Sequence, residues 1–70
     1  MNPKEKAIDL FNKYFDLVEA YSAEQQHENA RTAAIIAVDE FLSFQESLYI
    51  TEGSLAYQYW QQVKQEIEKL

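Results

Sequence analysis

The sequence predicts an all-α fold, a small three-helix bundle, and three observations lead there. Apolar residues recur at alternating spacings of four and three in three separate stretches, the rhythm of amphipathic helices. Gly53 and Pro3 are the only glycine and the only proline in 70 residues, so helix breakers are scarce. Cysteine is absent, so neither disulfides nor thiolate–metal bonds can staple the chain. A domain this short buries only about 60% of the surface its unfolded chain exposes. Regular helix packing and self-association are the remaining sources of stability, and both are expected.

Helices are expected over about 3–21, 29–46 and 54–69 of a single domain. Asn2 and Pro3 read as an N-cap followed by proline at the first helical position. From there Ala7, Phe11, Tyr14, Val18 and Tyr21 form the first seam, widened by Ile8 and Phe15 on one side and Leu10 and Leu17 on the other. Opposite it lies a polar stripe of Glu5, Asp9, Asn12, Asp16 and Glu19, flanked by Lys6 and Lys13. That stripe reads as a solvated face or as an acidic recognition strip. Residues 22–29 are polar and read as a connection. Ser22 and Gln25 also have the form of a capping box, which would start the second helix at Ser22.

The second seam is Ala30, Ala34, Ala37, Phe41, Phe44 and Leu48, small at its front and bulky at its end. Residues 46–54 break the pattern. Tyr49, Ile50 and Thr51 favour extended backbone, Gly53 supplies a turn, and Ser54 is a fitting N-cap for the third helix. Its seam is Ala56, Trp60, Val63, Ile67 and Leu70.

The net charge is −6, and it is unevenly spread. Residues 14–63 hold eight acids and only Arg31 as a base, so phosphate backbones and anionic membranes would repel this chain. A partner protein with a basic surface suits it, though an acidic surface also serves solubility. The N-terminal MNPKEKAIDL has charges where a signal peptide needs its apolar run. The longest apolar stretch, Ala33 to Val38, falls far short of the roughly 20 residues that cross a bilayer. A cytoplasmic protein is expected.

Catalytic chemistry has little to work with. His27 is the only histidine, and Arg31 stands where a second zinc-binding histidine would be, so a solvated surface histidine is expected. Glu24 and His27 match the spacing of a carboxylate-bridged metal motif once, with no second copy. One glycine cannot build a phosphate loop, and one histidine gives the serines a single base. No catalytic, cofactor or metal residue is assigned, and an enzyme is not expected.

Asp39 and Glu40 interrupt the apolar run 34–44 and are candidates for a chemical pair. At about 100° per residue, Asp39 lies opposite the seam and Glu40 at its rim, so the two cannot form a close dyad. Asp39 reads as a surface charge, and Glu40 as a rim residue able to reach Lys13 or Lys64. Ten of the 70 residues are aromatic, and Tyr49, Tyr57 and Tyr59 cluster about Trp60. Tyrosines here either pack on the core edge or form an interface. The partner-contact set read from the sequence is therefore Asp9, Asp16, Glu19, Asp39, Glu40, Tyr49, Tyr57 and Tyr59.

The stretches AIIAVDEF (34–41) and YWQQVKQEIEKL (59–70), with NPKEKA (2–7), resemble segments of short uncharacterised proteins encoded by bacteriophages and prophages. The resemblance covers about half the chain; the polar run after Tyr21 and the phenylalanine-rich end of the second helix depart from it. It implies a phage accessory factor that binds and inhibits or modulates a host protein, such as a nuclease or CRISPR effector of antiviral defence. The alternative is a structural homodimer with no host target.

Overall fold

The residues flanking each helix fix where it starts. Asn2 accepts a hydrogen bond from the Glu5 amide at 2.8 Å, and the Glu5 carboxylate accepts one from the Asn2 amide at 3.0 Å. Two otherwise orphaned donors are thus satisfied reciprocally, with Pro3 occupying the first helical position. Ser22 accepts from the Gln25 amide at 3.1 Å, and Ser54 accepts from the Tyr57 amide at 3.5 Å. The computed structural model describes residues 1–18, 20–48 and 54–70. Its helices are α1 (Pro3–Phe15), α2 (Ala23–Ser47) and α3 (Leu55–Glu68), all three packed on one another. This is the expected all-α three-helix bundle. No strand occurs among the described residues.

Two boundaries differ from expectation. α1 stops at Phe15, not near Tyr21, because the chain must turn back for α2. Leu17 and Tyr21 are accordingly 76% and 101% exposed, so the last part of the first seam has nothing to pack on. The Gln26 side chain donates to the Phe15 carbonyl at 2.6 Å and satisfies one acceptor that α1 leaves open at its end. α2 starts at Ala23 behind Ser22, the earlier of the two starts that the sequence allowed, so residues 23–29 are helix. The Gln25 side-chain Oε1 accepts from the Tyr21 amide at 2.9 Å, one residue outside the usual capping box. At its other end α2 closes at Ser47, one residue past the expected 46. The brief extended stretch expected at Tyr49–Thr51 lies outside the described residues.

The core is small and centred on α2. Its buried row is Ala30, Ala34, Val38, Leu42 and Gln45, against Ala7 of α1 and Tyr57, Val63 and Ile67 of α3. After Ala34 this row departs from the expected seam by one residue, about 100° of helix rotation. Val38 and Leu42 take the places read for Ala37 and Phe41. The reason is geometric. α2 must serve α1 on one flank and α3 on the other, so its most buried row lies between them. In α3 the corresponding change buries Tyr57 and exposes Ala56.

α2 has 25 residues, α1 only 13 and α3 only 14. The two short helices therefore share its length. α1 covers the N-terminal part, with the Phe11 ring 5.0 Å from the His27 ring. α3 runs antiparallel to α2 along its C-terminal part. Tyr57 meets Glu46, Trp60 meets Phe41, Lys64 meets Asp39 and the Glu68 carbonyl meets Arg31. α1 reaches α3 where the Tyr59 hydroxyl donates to the Met1 carbonyl at 2.9 Å and Lys6 lies 5.9 Å from the centre of the Trp60 ring.

Ile67 and Val63 are fully buried, so Ile67→Ala leaves a cavity where all three helices meet. It should cost about 2–5 kcal/mol in urea unfolding, whereas Leu17→Ala should be nearly neutral.

Candidate functional site

An open groove of about 600 Å³ runs between α2 and α3, and no α1 residue lines it. Its floor is Leu42 and the buried ring of Tyr57. Asp39, Ser43 and Glu46 rise from α2 on one side, and Gln61, Lys64 and Glu68 from α3 on the other. On α2 the spacing of Asp39, Ser43 and Glu46 is four and then three, which puts them on one face just outside the core row. Three carboxylates and one ammonium group thus share a wall of polar side chains.

Two contacts hold the groove. Lys64 Nζ lies 2.8 Å from Asp39 Oδ1. That hydrogen bond raises the Lys64 pKa above its ordinary value, against a smaller opposing effect of desolvation. The Tyr57 hydroxyl donates to the Glu46 carboxylate at 2.5 Å. Tyr57 thereby fixes a carboxylate at the groove mouth while its ring forms the floor.

The sequence-derived contact set does not come together as one surface. Asp9 sits between Lys13 at 3.1 Å and Lys6 at 3.5 Å, and its charge is spent within α1. The Lys13 hydrogen bond pulls the Asp9 pKa below the ordinary carboxylate value. Asp16 is exposed at the C-cap of α1, where a negative charge meets the negative end of the helix dipole. Asp39 faces Lys64 in the groove, and Glu40 is exposed with no ion pair among the described residues. Lys64 thus takes Asp39 and Lys13 takes Asp9, although Glu40 had seemed placed for either. The rotation of the core row accounts for this, since it brings Asp39 to the α3 side and leaves Glu40 on the other.

Tyr57 is buried, so its ring belongs to the core and not to an outward contact. Tyr59 is half-buried, edge-on to Trp60 with ring centres 5.4 Å apart. Glu19 and Tyr49 lie outside the described residues. His27 is half-buried on Phe11 and not freely solvated, beside a shallower hollow lined by Glu24 and Glu28.

Sequence reasoning did not bring together Glu46, Lys64 and Glu68, which lie on different helices and line one groove. It also missed Gln45, buried on the same row as Val38 and Leu42. The 38–42–45 spacing of four and three was the available signal, but a glutamine is not counted in an apolar seam. Among the described residues no three His, Cys, Asp or Glu side chains gather closely enough to hold a metal ion. No helix is long and apolar enough to cross a membrane, again among the described residues. Comparison of the chain with protein-family models, with curated proteins and with solved structures finds no match.

Two outcomes are expected of solution measurements. Tyr57→Phe removes a bond to a charged acceptor and should lose about 1.5–3 kcal/mol in urea unfolding with the helix content unchanged. Asp9 and Glu28 have folded pKa values below their ordinary 3.8 and 4.5, held there by Lys13 and Arg31. Their contribution is present above those values and is lost as pH falls through the lower folded ones. The melting temperature should therefore drop below about pH 4, less steeply in the Asp9→Asn, Glu28→Gln double variant.

Proposed function

We propose that this chain is a non-enzymatic binding protein, a phage accessory factor of the bacterial cytoplasm. It binds a basic face of a host protein and inhibits or modulates it. The target class that suits this chemistry is a nucleic-acid-handling factor of antiviral defence, such as a CRISPR effector.

One observation carries the reading. Lys6, Lys13, Arg31, Lys64 and Lys69 each make an ion pair with an acid of the chain itself. Lys4 is the sixth and last basic residue of the chain. Glu5, Asp16, Glu24, Glu40, Glu46 and Glu68 have no ion pair among the described residues. The charge offered to a partner is therefore mostly uncompensated carboxylate.

The groove concentrates this effect, with Glu46 and Glu68 set on either side of the neutralised Asp39–Lys64 pair. Carboxylates spaced along such a groove resemble phosphates to an Arg- or Lys-rich surface. Occupying a phosphate-binding face would deny it to nucleic acid, with no chemical step required. The resemblance to phage-encoded proteins supplies the context in which such a blocker is useful.

Capture of a basic host protein from a bacterial lysate by the tagged chain, and its identification, tests the reading. The complex should weaken steadily as salt is raised, because complementary charges are screened. Glu46→Gln with Glu68→Gln should slow association several-fold. A complex indifferent to both salt and these substitutions would overturn the reading.

A further inference from the structure

The track on α2 that receives α1 does not end where α1 does. Ala30 and Ala34 are buried and Ala37 is half-buried along it. The same alternating spacing then continues through Phe41, Phe44 and Leu48, which are 40%, 59% and 54% exposed. Met1, at the start of α1, lies against Tyr59, beside the Trp60 ring that touches Phe41 at 4.7 Å. Three large apolar side chains therefore stand in a row one helix wide, on the flank of α2 away from the acidic groove. Rows of this spacing receive the apolar face of another helix.

Charge says which helix. From residue 32 to residue 48 the chain has neither lysine nor arginine; of its three acids Asp39 and Glu46 line the groove on the other flank, and Glu40 stands on this one. Glu40 stands four residues before Phe44 and borders the row directly. The last turn of α2 has no basic residue to meet the negative end of its dipole. A second copy of this chain would set Glu40 and the same helix end against themselves, with −6 on each side. A helix edged with Lys or Arg meets complementary charge.

We propose that Phe41, Phe44 and Leu48 form the docking site for a basic amphipathic helix of the partner protein. This rests on the binding reading above and names the element that is bound. The acidic groove and the apolar row then act on opposite flanks of α2, one by charge and the other by burial.

Trp60 is the only tryptophan and touches Phe41, so its fluorescence reports directly on the row. The probe is a synthetic peptide with Leu at i, i+3, i+4 and i+7 and Lys at the remaining positions. It should shift the Trp60 emission saturably. Phe44→Ser with Leu48→Ser should weaken that binding by about tenfold or more, with circular dichroism unchanged because both residues are exposed. Equal binding of a Leu/Glu peptide, or of a Lys/Gln peptide without leucine, overturns the proposal. So does binding that ignores the Phe44→Ser, Leu48→Ser change. Sedimentation showing a dimer of the free chain that this change abolishes would make a second copy the occupant, which also overturns it. If the salt-sensitive host complex forms while the Leu/Lys peptide fails, this site is wrong and the acidic-surface reading stands.

Discussion

Everything in this bundle depends on the row Ala30, Ala34, Val38, Leu42 and Gln45 of α2, which two shorter helices must share. A single helix of 25 residues spans about 37 Å, and its partners only about 20 Å each. The small side chains at Ala7, Ala30 and Ala34, none of them solvent-exposed, let helices approach closely at one end. Val38 and Leu42 continue the row into the cluster they share with Ala7 of α1 and Tyr57, Val63 and Ile67 of α3. The structure is thus staggered, 41 Å in its longest dimension and 15 Å in its shortest. That stagger creates both surfaces considered above. On one flank the α2–α3 seam opens into the acidic groove, and on the other the track left uncovered by α1 shows its phenylalanines.

The three-helix fold was legible because each helix carries its own seam and each start carries its own cap. Asn2, Ser22 and Ser54 are all readable as N-caps from the sequence alone. The end of α1 was not legible. Val18 and Tyr21 continue its period, and only the need to turn back to α2 stops the helix at Phe15. The phase of the α2 seam was misread for a related reason. Periodicity identifies an apolar stripe, but a helix with two neighbours buries the line between two stripes. Phe41 and Phe44 looked like core because they continue the alanine row. Tyr57 looked like surface because it stands beside Tyr59 and Trp60.

The candidate site was legible only in part. Composition revealed the acidic excess, but position on the wheel gave Glu40 the rim place beside Lys64 that Asp39 takes. Pairing across helices is a tertiary property, however, and no spacing rule joins Asp39 to Lys64 or Glu46 to Tyr57. The cations form their pairs locally on α1, on α2 and at the end of α3, with Lys64 alone reaching across. Exposed pairs of this kind add little stability. Their larger effect is on what remains outside, since each one removes a positive charge from the surface that another protein meets.

Gln45 has a consequence of its own. It is buried on a row where leucine would be at home, and its amide oxygen finds no donor among the described residues. Leaving such an acceptor unmatched in an apolar setting costs about 1–3 kcal/mol, in a chain whose whole margin is of the order of 5 kcal/mol. One atom therefore keeps the molecule nearer its melting point than its hydrophobic contacts alone would. Leucine in that place would raise the ceiling on how much heat the bundle withstands.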